Sequence, residues 1–411
     1  MVTQAEHIPV HLGAMPEAVA AVIAHDPAPG EPWILNDPYA GGTHLPDLTI
    51  LTRTELGYAV TRAHHADVGG SEPWSLPPGS RTLDEEGVII PPTRLDDDTV
   101  EELVARMRNP DERRGDLRAQ LAGNRLAESR IAELCARRGR ARVAAAMDEL
   151  FAYSERVVRA AIRELPDGRF EGADELETLD GLLPIRAAVT IAEDEIDIDF
   201  EGTSPQYEGN LNCPLAVTRS ACFYVVRCLT APDLPASGGA FVPVTVRAPE
   251  GSLVNARSPA AVAAGNTETS SRITDVVFDA FAQAVPVPAQ GQGTMNNTVL
   301  GNDRFTYYET VAGGQGACPE ADGPSGVHVA MSNTFNTPAE ALELSYPLRV
   351  ERYELRLGSG GAGRQRGGDD GLPGRSFLNG EELPAIANLD LAPGDLLRIE
   401  TPGGGGWGEP H

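Results

Sequence analysis

Six of the eight histidines, His7, His11, His25, His44, His64 and His65, fall within the first 65 residues, together with Asp37 and Asp47 and closely followed by Asp67. Two segments hold most of these groups. One runs from Asn36 to Asp47 and reads Asn-Asp-Pro-Tyr-Ala-Gly-Gly-Thr-His-Leu-Pro-Asp. The other runs from Arg62 to Gly70 and reads Arg-Ala-His-His-Ala-Asp-Val-Gly-Gly. Imidazole and carboxylate donors together suit Mn, Zn or Fe. Pro38, Gly41, Gly42 and Pro46 oppose a helix, so His44 and Asp47 are expected on a shaped loop that aims both at one point. Taken alone, one His-x-x-Asp is more often a pair of turn residues than a ligand pair. The second segment tips the balance towards a divalent transition-metal site.

A second group of candidates is glycine-dense. Gly313, Gly314, Gln315 and Gly316, with Ser325 shortly after, could let the backbone approach a ligand and line a substrate pocket. Ordinary tight turns explain the same residues equally well. The segment from Gly358 to Gly363 is formally G-x-G-x-x-G and follows a strand-like stretch, Tyr353 to Leu357. The Arg- and Gly-rich residues after it are poor helix formers, which argues against a dinucleotide site.

These segments need elements to hold them. Leu48–Thr52 and Tyr58–Thr61 read as strands around a turn at Glu55-Leu56-Gly57, and would pair as a hairpin. Residues 99–165 carry a helical section, capped by Asp98 or Thr99 and stopped by Pro166-Asp167-Gly168. Within it Val143, Met147, Leu150, Val157, Val158 and Leu165 recur at the helical period. Glu195–Phe200 alternates apolar and acidic residues, as a half-buried strand does. Further helices are expected over 215–230 and 270–284, before a Gly-rich, strand-like C-terminal third. The reading is a multi-domain α+β chain: a β-rich metal-loop region (1–98), a helical section (99–184) and a mixed α+β part (185–411).

Composition narrows the function. The 411 residues carry a formal net charge of −27, which would repel nucleic-acid phosphates and an anionic membrane surface. All 33 basic residues are arginine. Without lysine the chain can form neither a P-loop nor a pyridoxal-phosphate Schiff base, so any ATP is expected on a partner subunit. No pair among Cys135, Cys213, Cys222, Cys228 and Cys318 forms a C-x-x-C, and no signal-peptide pattern is seen, which fits a reducing, cytoplasmic setting. No apolar run approaches the ~18 residues of a membrane span.

Together the segments resemble the hydantoinase B/5-oxoprolinase family. The likeness lies in His7–Gly13, Asn36–Asp47, His64–Gly70, Gly115–Gln120, Gly265–Ser270, Gly313–Gly316, Gly358–Gly363 and Pro402–Gly408. The resemblance implies an ATP-dependent hydrolase of cyclic amides, in which an A-type ATPase partner activates the lactam or hydantoin ring and the B-type chain completes hydrolysis at a metal. It implies His44, Asp47 and one of His64 or His65 as ligands, with Asp37 a further candidate. His65 is taken as the ligand, and His64 and Asp67 as the groups that move protons. The family pattern also places an Asp-Phe-Ser segment before the stretch matching His7, whose Asp is expected to add a ligand. That segment is not in this sequence. Two alternatives go with the resemblance: an acetone-carboxylase-like subunit, and a truncated, non-catalytic chain that only binds its partner.

Overall fold

The computed structural model describes residues 1–5, 8–302, 304–362 and 369–408. The fold is α+β, with several separate sheets. The N-terminal sheet contains β1 (Pro32–Leu35), β2 (Asp47–Thr54), β3 (Gly57–His64) and β4 (Thr93–Arg94), in the order β3-β2-β1-β4. The expected hairpin is present as β2 and β3. It pairs Thr54 with Gly57 across its turn and Asp47 with His64 at its open end. Side chains alternate between the two faces of a strand. Leu48 and Ile50 therefore join one cluster, and Leu51 joins another on the opposite face with Ala18 and Val22 of α1 (Met15–Ile23).

The Leu48 face is covered by α2 (Leu83–Glu86), α3 (Asp97–Val104) and α4 (Pro110–Arg138) through Leu83, Leu103 and Leu117. Two α4 amides fasten that helix to the hairpin. Gln120 Nε2 donates to the Leu48 carbonyl at 2.9 Å and Asn124 Nδ2 to that of Ile50 at 3.0 Å. The cap of α3 differs from expectation. Asp96 accepts from the Thr99 amide, because it is the residue with extended backbone just ahead of the first turn. Gly139, at a φ of 82°, ends α4 and starts α5 (Arg140–Ile162), which takes up the expected periodic helix and ends before Pro166.

A second sheet contains β5 (Gly168–Glu177), β6 (Leu182–Ala192), β7 (Glu195–Asp199) and β8 (Val244–Arg247), antiparallel except for β7 with β8. Strand β6 runs across the boundary expected at 184/185. The main hydrophobic core lies between this sheet and two helices, α6 (Leu215–Thr230) and α7 (Ser270–Ala282). At Gly172 an added Cβ would lie 2.1 Å from the Val276 carbonyl, so only glycine lets α7 rest directly on β5. A wide helical turn, Gly265–Thr269, leads into α7.

The C-terminal part has short strands: β9 (Asn297–Gly301) with β10 (Thr306–Thr310), β11 (Gly313–Gly314) with β12 (Ser325–Val327), and a sheet of β13 (Arg375–Leu378), β14 (Glu381–Glu382) and β15 (Leu397–Glu400). Residues 353–357, expected as a strand, are not in one. Gly363 and the five residues after it lie outside the described residues. Among the described residues no helix is long and apolar enough to cross a membrane.

Candidate functional site

The site begins at the open end of the β2–β3 hairpin. Asp47 and His64 are directly opposed, so their side chains share a face. The Asn36–Pro46 loop folds back on that end because Asn36 is buried and ties it in place. Its Nδ2 donates to the Leu45 and Val88 carbonyls, and its Oδ1 accepts from the Ile90 amide. This brings His44 Nε2 to 3.3 Å from Asp47 Oδ2, to which Thr43 Oγ1 also donates at 2.5 Å. His11 arrives from the turn Pro9–His11 and sets its Nε2 3.8 Å from Asp47 Oδ1. The rings of His44 and His64 meet edge to face at 5.0 Å.

The tautomer of His44 follows from its partners. Nδ1 lies 3.3 Å from the Ala263 carbonyl, which only accepts, so Nδ1 carries a hydrogen. The other ring nitrogen, Nε2, is buried and faces the Asp47 carboxylate at 3.3 Å. A cation between these two atoms, proton or metal, satisfies both. Burial works to raise the Asp47 pKa, but His11, His44 and His64 outweigh it and hold the carboxyl well below the usual range. Burial, reinforced by His44, pulls His64 down to about 3, so its imidazole is neutral. Protein surrounds the His64 ring, yet the ring keeps an exposed face, which makes it part of a cleft wall.

Strand alternation corrects the choice between the adjacent histidines. His65 lies on the α4 side, where its Nε2 meets Gln120 Oε1 at 2.9 Å and its Nδ1 stands 3.9 Å from Asp116. His64 is the one that faces Asp47. Asp67, read from sequence as a proton-moving group, is a loop clamp. Its carboxylate accepts from the amides of Gly69, Trp74 and Arg108 and from the Arg108 guanidinium. Asp37 caps the turn Pro38–Ala40 by accepting from the Tyr39 amide at 2.9 Å. The glycine-dense stretch is closed by backbone: a Cβ on Gly316 would lie 1.7 Å from the Ala289 carbonyl, and one on Gly314 2.2 Å from the Gly404 amide. Gln315 donates its amide to the Pro324 carbonyl, Gly313 pairs with Val327, and Ser325 is exposed in β12. These contacts account for the glycines through close packing of chain on chain.

Several residues at the site carry no signal in the sequence. Trp74 stacks on His64 at 5.0 Å and on Tyr308 at 3.7 Å. Trp74 and Ser75 both have positive φ, 69° and 58°. They are held there by Asp67 and by the Ser75 hydroxyl, which accepts from Val68 and Gly70. Glu86, fully buried, accepts from the Val262 and Ala263 amides and from Ser80, and so fixes the carbonyl that orients His44. Burial raises its pKa to about 7. These partners are distant in sequence; His11 alone among the added residues gives a signal, as one of the clustered histidines. Among the described residues no three or more His, Cys, Asp or Glu side chains already stand in a metal-holding arrangement; the donors meet in pairs.

An imidazole–carboxylate cluster on a loop and hairpin, walled by aromatic rings and joined to an α+β core, is the arrangement of an enzyme site built from distant segments. The family model described as hydantoinase B/oxoprolinase matches residues 1–373, and the chain belongs to that family. An uncharacterized protein of Methanocaldococcus jannaschii is 35% identical over 466 residues, covering 100% of this chain and 83% of its own length. The 5-oxoprolinase 1 of Arabidopsis thaliana is 34% identical; the match covers 99% of this chain but 38% of that protein. The crystal structure of the ATP-dependent caprolactamase from Pseudomonas jessenii superposes with a TM-score of 0.91 at 27% identity, over 100% of this chain and 83% of that one. An acetone carboxylase structure, at 16% identity and a TM-score of 0.84 over 99% of this chain and 69% of that one, shares the fold.

Proposed function

We propose that this chain is the B-type component of an ATP-dependent cyclic amidase, and that His44, Asp47 and His64 hold a divalent transition metal. The reading is carried by the buried His44 Nε2 set 3.3 Å from the Asp47 carboxylate, with the His64 ring beside it. Neutral imidazoles and an ionised carboxylate are the protonation states that metal binding requires. A metal there, whether Mn, Zn or Fe, supplies Lewis acidity and makes water a stronger acid near neutral pH. The chain's own residues do the rest. Thr43 and His11 fix the Asp47 carboxylate, and Ala263 fixes the His44 ring. Trp74 and Tyr308 hold the plane of His64 by stacking on it.

Relatives named 5-oxoprolinase, D-/L-hydantoinase and ATP-dependent caprolactamase support a lactam or hydantoin ring as substrate. The lysine-free composition supports an ATP site on an A-type partner, and a cytoplasmic setting suits a cysteine-bearing enzyme of this kind. The test is reconstitution. Purified chain should bind one metal per molecule, lose it in His44→Ala, and show no ATPase activity alone. Mixed with an A-type ATPase partner it should hydrolyse 5-oxoproline or hydantoin only with ATP. Unchanged metal content in His44→Ala, or hydrolysis without ATP and partner, would overturn the reading.

A further inference from the structure

Glu268 is the carboxylate near this site that the reading above leaves without a task. It lies in the wide turn Gly265–Thr269, where Gly265, Asn266, Thr267 and Thr269 are buried and Glu268 alone keeps an open face. Turns of this kind, one residue wider than an α-helix, recur at functional sites. Two connections bring Glu268 to the histidines. The first is through the backbone: its amide donates to the Ala264 carbonyl at 2.7 Å, one residue beyond the carbonyl that holds His44. The second is through side chains: Asn297 Nδ2 reaches Glu268 Oε1 at 3.4 Å, Asn297 Oδ1 accepts from the Tyr308 hydroxyl at 2.7 Å, and the Tyr308 ring stacks on His64 at 5.7 Å. Asn297 and Tyr308 thus link Glu268 to His64.

We propose that Glu268 is the catalytic acid of this site, giving its carboxyl proton to the ring nitrogen as the C–N bond of a cyclic amide breaks. The inference rests on the cyclic-amide reading above. In that step the oxygen of water bonds to the carbonyl carbon, and the electron pair of the broken C–N bond stays on nitrogen. Nitrogen takes the Glu268 proton and leaves as an amine. A proton from the added water returns to Glu268, and a second water releases the phosphoryl group that ATP placed on the carbonyl oxygen, so the sum is amide, ATP and two waters giving carboxylic acid, amine, ADP and phosphate. An amine anion is too basic to leave unprotonated, so the reaction needs an acid here. The surroundings keep Glu268 able to serve. Burial raises its pKa, opposed by hydrogen bonds from Thr294 and the Met295 amide and by Arg272 of α7; Tyr308 is the titratable group facing it from β10.

Two measurements decide the matter. In an infrared titration of the full chain, wild type minus Glu268→Gln, a protonated carboxyl should persist above the ordinary glutamate pKa of 4.5. A group ionised at or below that value overturns the proposal, whatever the activity of the chain. In the reconstituted complex with ATP, Glu268→Gln should cut kcat on 5-oxoproline by about 100-fold. On the corresponding thiolactone, whose sulfur leaves as thiolate without an acid, the loss should be several-fold only. Equal losses on the two substrates overturn the proposal. Metal content equal to wild type in Glu268→Gln is expected. A wild-type chain without metal or ATP-dependent hydrolysis sinks the cyclic-amidase reading instead and leaves the infrared titration to judge Glu268.

Discussion

Replacing Asp67 with asparagine separates a clamp from a proton carrier. Asp67 is 1% exposed, and its two oxygens accept from Gly69 at 2.7 Å, Trp74 at 2.8 Å and Arg108 Nη1 at 2.9 Å. Asparagine keeps one of those oxygens and turns an NH₂ towards the other donors. At least one buried backbone N–H then loses its acceptor, which costs about 1–3 kcal/mol. The ion pair with Arg108 is also lost, but that guanidinium is 32% exposed and the pair contributes no more than about 1 kcal/mol. The expected loss is therefore about 1–4 kcal/mol, read by urea unfolding. Trp74 should also leave its positive-φ backbone, so its stacking on His64 and Tyr308 weakens and indole emission rises. Metal stoichiometry should stay at one. If Asp67→Asn unfolds within about 0.5 kcal/mol of wild type with unchanged emission, the clamp is refuted.

Gly316→Ala would put a methyl 1.7 Å from the Ala289 carbonyl; with backbone on the other side, thermal unfolding should report a loss of about 3 kcal/mol. For Glu86, whose folded pKa of about 7 exceeds the ordinary 4.5, the sign runs against alkali. Its share of stability is complete below about pH 4.5 and is lost as pH rises through about 7. Glu86→Gln should flatten that decline in unfolding experiments between about pH 5 and pH 8, and an unchanged slope would refute the assignment.

Much of the local structure is legible because it depends on short spacings. The turn at Glu55-Leu56 predicts the hairpin, and continuing that register sets Asp47 against His64. Carried to the strand ends, the register alone decides between His64 and His65; stopped at Leu48 and Thr61, it leaves the choice open. Asp67 misleads because sequence shows a carboxylate near histidines but not the amides folded around it. The glycines of 313–316 are ambiguous for a related reason: close approach to a ligand and close approach to another stretch of backbone demand the same residue. Glu86, Trp74 and Tyr308 are beyond the reach of sequence, since their neighbours are fixed by packing between segments far apart in the chain.

The Tyr308 stack also has a bearing on biosynthesis. The hairpin that carries Asp47 and His64 is synthesised before Tyr308, which follows it far along the chain. Tyr308 and the strand that holds it are made long afterwards, so for most of translation the imidazoles stand open on one side. The last wall of the cleft comes from Tyr308, so a chain cut short before it keeps Trp74 beside His64 but lacks the second aromatic ring.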